Sequence, residues 1–142
     1  MSMAGRAGEV IGLMDALEIE RAHLCCHSTG CGIGLSVASA HPDRTAGLGL
    51  INPWQYGDGH LTTMQQLRIA AARGLDPYRY AWFNASLLFP PNYRRTHEAG
   101  FEKMAEAAKS NPQDADQIAQ RLNAILAYDS RAITSSLACP TL

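Results

Sequence analysis

The sequence has no long apolar run and no excess of charge of either sign. None of its apolar stretches approaches the roughly 20 residues that span a bilayer, and its first ten residues lack the apolar segment of a secretory signal. The formal net charge is −1, with acidic and basic residues interspersed. Neither nucleic acid nor an anionic membrane surface is therefore an expected partner, and a cytoplasmic location is predicted.

The spacing of the four cysteines fits neither a zinc site nor a redox pair. Cys25, Cys26 and Cys31 lie close together and Cys139 lies near the C-terminus, without a C-x-x-C pair or a Cys/His ligand spacing. We interpret all four as small, reduced, buried thiols and predict no metal site. Hydrophobic residues make up 46% of the 142 residues and charged residues 18%, which is enough for the packed core of one domain.

The first third of the chain predicts alternating helices and strands. Helical periodicity covers residues 4–17, and short apolar runs over 22–26 and 46–51 predict strands. Between the strands, a helix is expected from the turn at Ser28 to about Ala40, where His41 and Pro42 stop it. This order is the βαβ alternation of a parallel sheet and predicts an α/β fold.

From residue 54 onward the pattern is mainly helical. Asp76 before Pro77 and Asn111 before Pro112 each predict a helix that begins with a capping residue followed by proline. Residues 137–142 are typical of the start of another strand. The predicted helices cover residues 61–73, 77–88, 93–110 and 112–128.

The segment Cys26-His27-Ser28-Thr29-Gly30 lies between the first predicted strand and the helix after it. In that context the pattern G-x-S-x-G is the nucleophile elbow of a hydrolase. Ser28 is then the predicted nucleophile, and the Thr29 N–H at the helix N-terminus is a predicted oxyanion donor. Cys26 stands where glycine is usual and is expected to strain the turn, whereas Gly30 provides the space that the turn needs. The alternative is a glycine-rich turn in which Ser28 only caps the helix.

The stretch LCCHSTGCGIGLSVASAHPDRTAGLGLINPW resembles the α/β-hydrolase superfamily pattern V-G-H-S-x-G-G-x-I-G-x-x-x-A-x-x-H-P-x-R-V-x-x-L-V-L-I-N. The later stretches SLLFPPNYRR and RLNAILAYDSRAITSSLACPTL are most similar to aminoacrylate hydrolases and 3-oxoadipate enol-lactonases. The resemblance implies a partial α/β-hydrolase fold with few parallel strands, flanking helices and a helical cap. In that scheme residues 1–53 hold the elbow, 54–136 form the cap and 137–142 begin a further strand. The resemblance implies no cofactor.

The resemblance also implies a triad in the order Ser, Asp or Glu, His. The usual places of the acid and the histidine lie beyond Leu142, so the chain is expected to hold a central part of the family fold. Asp58 and His60, in the loop after the second strand, are the candidate acid and base, with a solvated turn as the alternative. Open sheet edges predict a homo-oligomer or a complementing segment as a partner.

Aromatic residues of the predicted cap are candidates for a small-molecule pocket, and Trp54, Trp82 and Phe89 are the predicted substrate contacts. The alternative is that these rings only pack helices together. Overall, the sequence predicts a serine hydrolase that cleaves a small ester, lactone, amide or related bond through Ser28. The alternative function is a catalytically inactive, truncated hydrolase or a binding module that keeps the cap surface.

Overall fold

The computed structural model describes residues 2–142. These residues form two strands and eight helices. In chain order the elements are α1 (Met3–Ala16), β1 (Ala22–His27), α2 (Thr29–Ala40), β2 (Thr45–Ile51), α3 (Gly59–Gly74), α4 (Pro77–Leu88), α5 (Pro91–Thr96), α6 (Glu98–Ser110), α7 (Ala115–Leu126) and α8 (Arg131–Thr134).

β1 and β2 are parallel neighbours, in register from His23 beside Gly47 to His27 beside Ile51. Residues 140–142 continue the sheet on the far side of β2. The Leu48 N–H donates to the Pro140 carbonyl at 2.9 Å, and the Leu142 N–H donates to the Leu48 carbonyl at 2.9 Å. The α/β class with parallel strands, predicted from the alternating pattern, is confirmed.

α2 packs on one face of this sheet although several of its residues have low helix propensity. Its Cys31, Leu35 and Ala38 form a buried cluster with Cys26 of β1 and Leu48 of β2. The small side chains of α2 allow the helix to lie close to the strands, so tertiary packing compensates for the weak local preference.

The chain divides into two compact units. The elbow unit comprises Met1–Leu61 with Asn123–Leu142, and the helical unit comprises Thr62–Leu122. The predicted cap of residues 54–136 is longer than the helical unit at both ends, and its role as a cap stays a prediction. Among residues 2–142, none of the helices combines the length and the apolarity that crossing a bilayer requires.

Within the helical unit, Phe101 of α6 is the centre of an aromatic cluster. Its ring centroid lies 6.0 Å from that of Trp82, 5.1 Å from that of Phe89 and 6.3 Å from that of Tyr93. The Phe101 side chain is only 8% exposed. Aromatic pairs at these separations are favourable contacts, so the cluster holds α4, α5 and α6 together.

The single helix predicted over residues 93–110 is wrong, because the chain breaks at His97. The Thr96 hydroxyl lies 3.1 Å from the Tyr93 carbonyl and 3.2 Å from that of Asn92, while His97 Nδ1 lies 2.9 Å from the Tyr93 carbonyl. These local side-chain contacts compete with the helical hydrogen bonds and end α5. α6 then starts at Glu98.

Two capping signals of the same sequence type have different outcomes. Asp76 caps α4 as predicted, with its carboxylate accepting the Arg79 N–H at 2.9 Å. Asn111 instead ends α6, so the helix predicted to start at residue 112 is wrong. α7 starts at Ala115, because the Asp114 carboxylate accepts the Asp116 N–H at 2.8 Å.

Candidate active site

The chain turns sharply at Ser28, between the end of β1 and the start of α2. Ser28 has φ 50° and ψ −121°, a backbone conformation that residues other than glycine rarely adopt. Its N–H donates to the Ile51 carbonyl at 2.9 Å, and its own carbonyl accepts the Cys31 N–H at 2.8 Å. The strained conformation is therefore held by the end of β2 and by the first turn of α2.

The Ser28 side chain does not cap α2. It is exposed, and its hydroxyl makes no hydrogen bond to the helix or to any other group among residues 2–142. An ordinary capping serine has extended backbone angles and accepts an N–H from the first turn. The alternative of a simple capping turn therefore does not fit this geometry.

Cys26 and Cys31, which stand where the family pattern has glycines, are accommodated beside Ser28. A Cβ built on Gly34 would collide with Cys26 Sγ, so the missing side chain of Gly34 makes room for Cys26. The fully buried Cys31 thiol lies 3.4 Å from the Cys26 carbonyl and 3.3 Å from the Ile51 carbonyl. Burial raises the pKa of both thiols, and Cys26 and Cys31 are therefore neutral near pH 7.

The expected strain of the turn is located at Ser28, whose φ is positive, rather than at Cys26. Two other sequence expectations need correction. A Cβ on Gly30 would meet nothing within 4 Å among residues 2–142, so the expected collision there is not found. Not all four thiols are buried either, because Cys25 is exposed and Cys139 is half-buried.

The Thr29 N–H begins α2 and points out of its N-terminus. The first N–H groups of a helix have no acceptor within the helix, and the helix dipole makes this end electropositive. Among residues 2–142 the Thr29 N–H has no acceptor. The role of oxyanion donor that the sequence predicted for this N–H stays a prediction.

The candidate acid and base do not contact Ser28. The Asp58 carboxylate accepts the Leu61 N–H at 2.7 Å and so caps α3. His60 is exposed in the first turn of α3, and His27 is exposed at the end of β1. No histidine of residues 2–142 hydrogen-bonds to the Ser28 hydroxyl. The same residues contain no group of three or more His, Cys, Asp or Glu that could hold a metal ion.

Trp54 packs on the first turns of α2 together with Tyr128. A Cβ on Gly32 would lie 3.2 Å from both rings, and the two rings meet edge to face with centroids 6.0 Å apart. The Trp54 Nε1 atom is buried without a hydrogen-bond partner among the described residues. The sequence did not single out Tyr128, because its contact with Ser36, at 3.4 Å, joins residues far apart in the chain.

Trp82 and Phe89, the other two predicted substrate contacts, belong to the helical unit. Trp82 is half-buried against Phe101, and Phe89 ends α4 with 38% of its surface exposed. The Phe89 ring also stacks on that of Tyr93, with centroids 5.6 Å apart. Both rings therefore pack within the helical unit, and their contact with a substrate stays a prediction.

Comparison with known proteins gives three informative similarities. The chain is 28% identical to the putative carbamate hydrolase RutD of Caulobacter sp. (strain K31), over 99% of this chain and 53% of that protein. It is similar in structure to MGS-M2, an α/β-hydrolase from a Medee basin deep-sea metagenome library (TM-score 0.87, 16% identity, 99% of this chain, 52% of that one). It is also similar to the enol-lactonase of Burkholderia xenovorans LB400 (TM-score 0.76, 23% identity, 99% of this chain, 53% of that one).

No family model matches the sequence. The chain spans about half the length of the curated relatives it matches. It has the α/β-hydrolase fold over that half, and its homologues are hydrolases. The resemblance that the sequence suggested to α/β-hydrolases of this group is confirmed.

Proposed function

We propose that Ser28 is the nucleophile of a site that hydrolyses a small ester, lactone, amide or carbamate. The observation that carries the proposal is the Ser28 turn itself. Ser28 has a positive φ and an exposed hydroxyl, and its N–H donates to the Ile51 carbonyl at the end of β2 at 2.9 Å. The stability of α2 does not require this conformation. Strain of this kind is typical of functional positions.

The proposed reaction has two steps. Ser28 Oγ attacks the substrate carbonyl carbon while a base takes the hydroxyl proton, and the Thr29 N–H stabilises the resulting oxyanion. The leaving group departs with a proton and leaves an ester bond to Ser28. Water then attacks that ester, releases the acid product and restores the serine hydroxyl, so that one water is consumed in each cycle.

Among residues 2–142, no group that could act as the base of this reaction contacts the Ser28 hydroxyl. Asp58 and His60 stay candidates from the sequence, although Asp58 already caps α3. A histidine from another polypeptide segment or from another copy of the chain is the other source that we propose. A positioned base contributes about 10²–10⁴-fold to the rate, so Ser28 without one is expected to react slowly.

We propose Trp54 as a polar contact for the substrate. Its Nε1–H is buried and unpaired, and such a donor costs about 1–3 kcal/mol until an acceptor binds it. A carbonyl or carboxylate oxygen of a small substrate has the chemistry to accept it. Trp82 and Phe89 are proposed as apolar contacts, on the sequence pattern alone.

A fluorophosphonate probe tests the nucleophile, because it phosphonylates activated serines. We expect the 142-residue chain to be labelled at Ser28, about 10²–10⁴-fold more slowly than the full-length Caulobacter relative that serves as the positive control. Ser28→Ala should abolish labelling of the peptide that contains position 28. Ser39→Ala, which changes an exposed serine of the same helix, should leave it unchanged. Labelling of Ser28 no faster than that of Ser39 would contradict the proposal.

A second candidate function is a binding module without catalysis. It is favoured by the observation that no histidine of residues 2–142 hydrogen-bonds to the Ser28 hydroxyl. Such a chain would still bind small lactones and carboxylates near Trp54. A titration of tryptophan fluorescence measures that binding, with Trp54→Phe and Trp82→Phe to assign the signal. Binding that Trp54→Phe abolishes, in a chain whose Ser28 is not labelled, would favour the binding module over the hydrolase.

A further inference from the structure

We propose that Cys31 is a positioning residue for Ser28, whose backbone it fixes through its buried thiol and through its own N–H. This role rests on the proposed hydrolase function, because a nucleophile reacts fastest when it is held in one orientation. The family pattern has glycine at this position, so a side chain here is a feature of this chain. All the groups involved belong to β1, α2 and β2 or to the turn between β1 and α2.

The Cys31 thiol contacts both strands. Its Sγ atom lies 3.3 Å from the Ile51 carbonyl oxygen, at the end of β2, and 3.4 Å from the Cys26 carbonyl oxygen in β1. A carbonyl oxygen only accepts hydrogen bonds, so the thiol is the donor to these groups. Burial raises the pKa of this thiol, which therefore keeps its proton near pH 7. One side chain thus connects the first turn of α2 to both strands.

These contacts meet the backbone of Ser28 on both of its sides. The Cys31 N–H donates to the Ser28 carbonyl at 2.8 Å, which holds Ser28 directly. The Ile51 carbonyl that the thiol contacts is also the acceptor of the Ser28 N–H, at 2.9 Å. A residue with a φ of 50° keeps that conformation only when its surroundings constrain it. Cys31 therefore supplies one constraint itself and orients the acceptor of the other.

The alternative role of Cys31 is to fill space in the core. The residue belongs to a buried cluster with Leu35, Ala38 and Leu48, and an apolar side chain would also pack there. Such a side chain has no donor for the Ile51 carbonyl, however. The two roles therefore differ in whether position 31 needs a donor or only a side chain of suitable size.

A matched pair of substitutions separates these roles. Cys31→Ser and Cys31→Ala remove the same sulfur atom and leave side chains of similar size, but only serine keeps a donor. The measurement is the rate at which a fluorophosphonate probe labels Ser28 in the 142-residue chain. We expect Cys31→Ala to be labelled about two- to fivefold more slowly than the unsubstituted chain, as the loss of one weak hydrogen bond implies. Cys31→Ser should restore the rate, whereas a packing role predicts equal rates for both variants.

Hydrogen exchange of the Ser28 amide, followed by NMR, reports on the turn without any reaction. The reference is the Ala22 amide, which donates to the Arg44 carbonyl at 3.0 Å at the opposite end of β1. Relative to that reference, we expect the Ser28 amide to exchange about two- to fivefold faster in Cys31→Ala. In Cys31→Ser the ratio should return to that of the unsubstituted chain.

Val37→Ala is the control for a general loss of stability. Val37 is buried in the same helix, so its truncation should destabilise the fold without changing the contacts of Ser28. Both the labelling rate and the exchange ratio should stay unchanged in this variant. Circular dichroism verifies that each variant is folded, and Cys31→Val, which also lacks a donor, replaces Cys31→Ala if that variant does not fold.

Equal labelling of Cys31→Ser and Cys31→Ala would overturn the proposal. An exchange ratio that does not change in Cys31→Ala would also overturn it, because the thiol would then not constrain the turn. If Ser28 of the unsubstituted chain is labelled no faster than Ser39, the hydrolase proposal fails by itself. The exchange ratio alone then decides whether Cys31 fixes the turn, so the two failures are distinguishable.

Discussion

The elbow unit and the helical unit are stabilised by different contacts. In the elbow unit, backbone hydrogen bonds from strand ends fix Ser28, and Gly34 leaves space that Cys26 fills. In the helical unit, the rings around Phe101 hold helices together, and the Arg73–Asp116 ion pair is exposed on both sides. Ser28 is thus fixed by hydrogen bonds of the main chain, whereas the helices around Phe101 are held together by side-chain packing.

The largest effect that would test this comparison is expected in the helical unit. Phe101→Ala removes the central ring of the aromatic cluster and should lower the free energy of unfolding by about 3–5 kcal/mol, measured by urea denaturation. Met104→Ala, on the same helix but 44% exposed, should change it by about 0.5 kcal/mol or less. Equal effects of the two substitutions would mean that the rings do not hold the unit.

A smaller effect is expected from close packing in the elbow unit. Gly34→Ala should be less stable than Gly30→Ala by about 1–3 kcal/mol, because the new methyl group meets Cys26 Sγ only at position 34. The helix-propensity gain of alanine is common to both variants and cancels in the difference. Adding Cys26→Ala to Gly34→Ala should restore stability, because the colliding Sγ atom is removed. If the double variant is no more stable than Gly34→Ala, the proposed collision is contradicted.

The smallest effect is a dependence on pH that the buried thiols of the elbow unit should cause. Burial raises the pKa of Cys26 and Cys31 in the folded chain, so the unfolded chain loses these protons first as the pH rises. The contribution of these two thiols to the free energy of unfolding should therefore be constant below about pH 8.5 and decrease above it, by at most about 1.4 kcal/mol per pH unit for each thiol.

Urea denaturation between pH 7 and 10 measures this decrease. Cys31→Ala should reduce the slope, whereas Cys25→Ser, which changes an exposed thiol, should not. The helical unit contains no cysteine, so substitutions there should leave the part of the slope that depends on the thiols unchanged. If the decrease of the free energy of unfolding with pH persists after both buried thiols are replaced, it belongs to other groups.

Local signals predicted the elements well where one residue type dictates the backbone. α4 begins at Pro77, where Asp76 and Pro77 predict its start, and α2 ends before His41 and Pro42. Proline and a capping residue act on the backbone of a single turn, so the sequence is enough to predict these boundaries. The break at His97 was not predicted, since it depends on Thr96 and His97 binding carbonyls one turn back. α8 was not predicted either; its Ser130 is tied to Gln55 through an N–H bond of 2.8 Å.

The candidate site shows the same division between features that local sequence signals predict and features that they do not. The order of an apolar run, a small-residue turn and a glycine-rich helix was enough to identify Ser28 and Thr29 as candidates. The role of Gly34 in accepting Cys26, and the packing of Tyr128 beside Trp54, could not be read from the pattern. These contacts join residues that are close only after β1, α2 and β2 have packed together.

By itself the sequence determined the α/β class and the position of the turn at Ser28 between β1 and α2, because strand, turn and helix preferences act over a few residues. Only the tertiary structure decided that Ser28 has a positive φ and that the Ile51 carbonyl holds it there. The reason is that strand pairing connects segments more than 20 residues apart. The conformation of Ser28 is a consequence of this pairing.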